Sequence, residues 1–167
     1  MSSLPEKSAG SVVLIAVDES AAVPCIIKFV AQHKWDDKTI FKIVNVIAPI
    51  MLDHPMASYP LFLESVEKDV RDDAESLLKR TREEIQAKFP DLLVQTEVIA
   101  GSPAEVIVAE AERSGAELII VGSHGRSGLK RFLLGSVSSA VIAHAPCNVM
   151  VVRVVETAKS ESEVASK

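Results

Sequence analysis

The sequence predicts an α/β domain: an open five-stranded parallel sheet with helices on both faces. Three observations predict it. Five short, β-branched apolar runs stand out, at Val12–Val17, Ile40–Ile47, Leu92–Ala100, Leu118–Val121 and Asn148–Val152. They are continuous rather than alternating, as strands covered on both faces require. Segments of helical spacing separate them, so the order is β-α-β-α-β-α-β-α-β, the alternation of a parallel sheet. Finally, 167 residues with 48% hydrophobic and 25% charged content suit one soluble domain with a sizeable core.

Each helix has its own local reasons. The first follows Asp18-Glu19-Ser20 and runs toward His33, with Pro24 in its first turn, where a missing N–H costs little. The second spans about Leu61 to Lys88. Leu63, Val66, Val70, Leu77, Leu78 and Ile85 fall at three- and four-residue spacings, with charge on the other face. The third begins with a capping box, Ser102 as cap, Pro103 at the first position and Glu105 reaching back, and Gly115 stops it. The fourth starts near Gly135-Ser136, gathers Val137, Ala140 and Val141 on one face, and ends before Pro146. His144 falls near its C-terminus, where a cation is favoured.

The domain is expected over 11–155, with a flexible N-terminus at 1–10 and a polar, disordered tail at 156–167. Ala48–Pro60, with three prolines, is the one long connection. The formal net charge of −5 and 4% aromatic content argue against nucleic acid as a partner. No apolar run approaches the ~18 residues of a membrane span, and the polar N-terminus lacks the apolar core of a signal peptide. A cytoplasmic location is expected, with Cys25 and Cys147 as reduced, half-buried residues. The four histidines show no metal-binding spacing.

Chemistry concentrates after the fourth strand, in Gly122–Ser136. Ligands of open α/β sheets bind beyond the C-terminal strand ends, where the strand order reverses. Gly122, Gly125, Gly128 and Gly135 allow close backbone approach to an anion and positive φ. The stretch opens a helix, whose N-terminus favours phosphate, with Ser136, Ser138 and Ser139 as hydroxyl donors. Arg126, Lys130 and Arg131 add three cations. Glycines alone are usually turn residues, but strand, cations and helix together point to phosphate. The stretch is not GxxxxGK[ST], and Gly122-x-x-Gly125-x-x-Gly128 is not GxGxxG. GSHG is not the GxSxG elbow, and Ser123 and His124 have no assignable acidic partner, so they flank phosphates rather than form a nucleophile pair.

Gly122, Gly125, the nine residues 126–134, then Gly135-Ser136 form G-x2-G-x9-G-[S/T]. In this the chain resembles the ATP-binding members of the universal stress protein family, from about Val12 to Arg153. The resemblance implies a Rossmann-like, adenine nucleotide alpha hydrolase-like sheet of order 3-2-1-4-5. It implies ATP, with Mg²⁺ through the nucleotide, held by the phosphate loop from Gly122, Ser123, His124, Gly125 and Arg126 to Gly135, Ser136, Val137 and Ser138. VLIAVDES places Asp18 at the ribose and adenine side, KIVNVIAP places Val46 against adenine, and IAGSPAEV places Gly101 near the pocket. It also implies a homodimer through 148–154; that apolar edge strand would otherwise invite aggregation. Asp18 could instead simply cap the first helix, though its place at the strand end favours ligand contact, and Val46 could equally be a core valine.

Three functions follow: an ATP-dependent regulatory module with unidentified protein partners, a slow ATPase or phosphoryl or nucleotidyl transferase, or an interaction scaffold in which nucleotide is structural. No residue outside the phosphate loop is placed as a general base, which favours the first.

Overall fold

The computed structural model describes residues 10–49, 60–123 and 134–154. Within them five strands and four helices alternate: β1 Val12–Ala16, α1 Ala22–Gln32, β2 Ile40–Ile47, α2 Pro60–Lys88, β3 Leu93–Ala100, α3 Pro103–Ser114, β4 Ala116–Gly122, α4 Ser136–His144 and β5 Asn148–Val152. All strand pairs are parallel, in the order β3-β2-β1-β4-β5. The expected fold class is therefore the observed one.

The sheet separates two cores, because side chains alternate along each strand. Val13 and Ile15 of β1, with Phe41 and Ile43 of β2, pack under α1 and α2. Leu14 and Val44 face the other way, toward Ile107 and Ala111 of α3 and Val141 of α4. Trp35 closes the base of the first core, its ring edge-on to Phe41 at 5.3 Å and its Nε1 donating to the Val30 carbonyl at 2.9 Å.

The structure departs from the sequence expectation at the start of β4 and in the capping of α3. β4 begins two residues early, at Ala116, because Gly115 caps α3 at φ 64° and turns the chain straight into the sheet. Ser102 and Pro103 hold the expected first positions of α3, yet Ser102 makes no side-chain cap hydrogen bond. The capping box is not formed. The helix starts instead on the Val106 N–H to Ser102 carbonyl bond of 2.9 Å, with Pro103 fixing φ.

Candidate functional site

The chain winds outward from β1 through β2 to β3, then crosses to β4 and β5 on the other side. That reversal leaves a crevice between β1 and β4 at their C-terminal ends, where neighbouring connections depart to opposite faces. A cleft of about 310 Å³ lies there. Its slot is apolar, between Val44 and Val46 of β2, Pro103 and Ile107 of α3, and Val121 of β4. Its polar rim is Asp18 after β1, Gly122 at the end of β4, and Gly135, Ser136 and Ser138 at the start of α4.

Two hydrogen bonds fix the ends of β4 and α4 on either side of residues 124–133. The Gly135 N–H donates to the Ser123 carbonyl at 2.8 Å, closing the loop at its base. The Ser123 N–H donates to the Val152 carbonyl at 2.8 Å, tying the end of β4 to β5. Helix α4 thus enters the cleft with its first N–H groups, which no intrahelical carbonyl can satisfy.

The sequence-predicted residues divide into three groups. Asp18, Val46, Gly122, Gly135, Ser136, Val137 and Ser138 come together around the cleft. Ser123 is buried beneath it, and Gly101 is not among the described lining residues. His124, Gly125 and Arg126, with Gly128, Lys130 and Arg131, lie outside the described residues, as do 1–9, most of the 48–60 connection and 155–167.

Several roles differ in detail from the expectation. Gly135 is the N-cap of α4 at φ −61°, not a positive-φ residue, and it lines the cleft. The Ser138 hydroxyl is directed at the carbonyls of Ser123 (3.3 Å) and Gly135 (3.2 Å), so its proton serves the loop frame. Asp18 accepts the Ser20 N–H at 3.2 Å through one oxygen, a turn two residues long, while the carboxylate also lines the cleft. Asp18 does not cap the first helix: the N-cap of α1 is Ala21, which makes no side-chain cap bond, and the Asp18 bond to Ser20 closes a turn ahead of it.

One feature escaped the sequence reading. Lys42 on β2 reaches across the face below Val44 to Glu110 of α3 at 2.5 Å and Glu97 of β3 at 2.7 Å. Arg113 adds bonds to Glu110 at 2.7 Å and Glu97 at 3.1 Å. Burial pulls the Lys42 ammonium down, but its bonds to Glu110 and Glu97 outweigh that and hold it above its ordinary value of 10.5. The bond to Lys42 keeps the Glu97 carboxyl below its ordinary 4.5. This network anchors the helix that supplies Pro103 and Ile107 to the cleft. A lone lysine inside the apolar run IFKIVNVI was the available signal.

Cys25 and Cys147 are unpaired and half-buried, and burial pushes the Cys147 thiol up, away from the thiolate form. No helix among the described residues is long and apolar enough to cross a membrane.

Comparison with known proteins agrees with this architecture. The chain is 35% identical over 146 residues to a putative universal stress protein of Staphylococcus haemolyticus, covering 86% of this chain and 85% of that one. Its structure resembles that of the hypothetical protein MJ0577 at a TM-score of 0.74 and 26% identity, over 88% of this chain and 98% of the other. A universal stress protein from Archaeoglobus fulgidus in complex with dAMP shares the fold at a TM-score of 0.59 and 19% identity, over 85% and 97% of the two chains. The model of the Universal stress protein family matches residues 11–153, and the chain belongs to that family.

Proposed function

We propose that this protein is an ATP-binding regulatory module that acts as a homodimer and changes its protein contacts with nucleotide occupancy. The carrying observation is the cleft at the strand-order reversal, which joins an apolar slot to a helix N-terminus. The slot between Val44, Val46 and Ile107 fits a flat, apolar-faced base, and Asp18 at its mouth fits a ribose hydroxyl. The start of α4 at Gly135, Ser136 and Val137 offers N–H groups and a positive dipole end to phosphates. The G-x2-G-x9-G-S pattern supplies the rest of the loop, with Arg126 among its cations. Mg²⁺ would enter with the triphosphate, and Asp18 is the one carboxylate among the described lining residues. The dAMP complex of the Archaeoglobus relative is consistent with an adenine nucleotide here. For the dimer, the support is the apolar edge strand β5.

Calorimetric titration of ATP with Mg²⁺ tests the reading. Saturable binding is expected, and a bulky side chain at Gly122 should weaken it about tenfold or more by blocking phosphate approach. Circular dichroism of Gly122→Val confirms that the variant is folded. Absence of saturable ATP binding by folded wild type would sink the proposal.

A further inference from the structure

Strand β2 reads IFKIVNVI, an apolar run with an asparagine third from its end. Asparagine is disfavoured in strands, and a buried amide needs a partner. Side chains alternate along the strand, so Val44 and Val46 line the nucleotide cleft while Asn45 shares the opposite face with Phe41 and Ile43. Asn45 is 8% exposed and is not part of the described lining of the cleft.

Its amide acts on the neighbouring strand. The paired residues of β1 and β2 run from Val12–Ile40 to Ala16–Val44. One residue further on, the Val17 N–H donates to the Val44 carbonyl at 3.0 Å. The Val17 carbonyl accepts Nδ2 of Asn45 at 2.8 Å. Both backbone groups of Val17 are therefore held by β2, the second through a side chain. The Val17 carbonyl and the Asp18 N–H belong to one peptide plane, so fixing the carbonyl fixes the direction in which the chain leaves for Asp18. On the far side, the Ser20 N–H donates to Oδ1 of Asp18 at 3.2 Å. Asp18 is clamped from both directions where it lines the cleft.

An apolar residue at position 45 would simply extend the core of Phe41 and Ile43. The amide gives up that burial, and what it supplies instead is a fixed Val17 carbonyl. We propose that Asn45 is a positioning residue: from the opposite face of the sheet, it sets the Asp18 carboxylate against the ribose of a bound nucleotide without touching the ligand. The role rests on the nucleotide reading of the cleft. Hydrogen bonds weaken steeply with length and angle, so a small shift of Asp18 removes most of its contact.

The test is calorimetric titration of the full chain with ATP and with 2′,3′-dideoxy-ATP, which lacks both ribose hydroxyls, each with Mg²⁺. Wild type should prefer ATP by about tenfold, as expected for a hydrogen bond to a charged group. Asp18→Ala should abolish that preference, and Asn45→Leu, near in size but without a donor, should abolish most of it. The double variant should bind ATP no more weakly than Asp18→Ala alone, because Asn45 acts through Asp18. A merely structural asparagine would lower both affinities together and leave their ratio intact. Circular dichroism checks each fold, and Asn45→Ala replaces Asn45→Leu if the leucine does not fit. A folded Asn45 variant that keeps the preference, or additive losses in the double variant, would overturn the positioning role and leave the nucleotide reading standing. So would wild type that binds the two nucleotides equally, or failure of both Asn45 variants to fold. Absence of ATP binding by folded wild type would overturn both.

Discussion

Gly101 illustrates how a residue can matter to a site without lining it. Its φ is +146°, a conformation L side chains rarely adopt, and a Cβ there would stand 2.7 Å from Cγ2 of Val106. Its N–H donates to the Ile47 carbonyl at 2.9 Å, joining the ends of β2 and β3 just before α3 begins. Gly101→Ala therefore meets both backbone strain and a β-branched neighbour that cannot swing away. It should lower stability by about 1–3 kcal/mol, read as a shift of the urea midpoint. Trp35, the sole tryptophan, reports the transition from its site against Phe41. A midpoint equal to wild type would mean that the β3–α3 turn relaxes freely. The family resemblance placed Gly101 near the pocket, and its dihedral adds a role in the turn that leads to Pro103, a lining residue of the cleft. Asp18 went the other way: the cap expected of it falls to Ala21, and its carboxylate closes a two-residue turn with Ser20 while lining the cleft. Glycine content alone told little about Gly135, whose ordinary φ could have been occupied by many residues.

Among elements, α3 depends most on something other than apolar packing. Its Glu110 side chain is 4% exposed and faces Lys42 and Arg113 from within the second core. Removing one partner from a buried ion pair costs more than replacing both, because a buried charge is left behind. Lys42→Met should therefore destabilise by about 3 kcal/mol, and Lys42→Met with Glu110→Leu should recover part of that loss. Additive losses in the urea midpoints would contradict the pairing. The pH dependence follows from the two shifts. The lowered Glu97 value means that its stabilisation is complete above the ordinary 4.5 and is lost as pH falls through the lower folded value. The raised Lys42 value means that its share is complete below 10.5 and is lost as pH rises through the higher folded value. The stability gap between wild type and Lys42→Met should thus be widest from about pH 5 to pH 10 and narrow on either side. The element pattern itself was legible because continuous β-branched runs and three- to four-residue apolar spacing leave few alternatives. The network was not, since Lys42, Glu97 and Glu110 are distant in sequence and only the β2–β3 register and the α3 crossing bring them together.

At the scale of the whole molecule, a sheet with helices on two faces still has two edges. Strand β5 forms one of them and pairs with β4 alone among the described strands. Met150 on this strand is 37% exposed, Val154 just beyond it 38%, and Ile142 on the adjoining α4 46%. Natural sheets cover or charge such an edge, because open backbone groups beside apolar side chains recruit other chains. The described strand has neither lysine nor proline from Asn148 to Val152. A second copy of the same strand, related by a two-fold axis, would cover both edges at once and close the assembly without leading to a fibre. Sedimentation equilibrium should then give twice the 18.0 kDa chain mass for the wild type. Met150→Lys places a solvated ammonium in the middle of that edge and should shift the protein to monomer across micromolar concentrations. Since β5 contributes nothing to the described lining of the cleft, the monomeric variant should still bind ATP. A wild type that sediments as monomer would end the dimer reading. Loss of ATP binding together with dimerisation would instead place part of the nucleotide site across the interface.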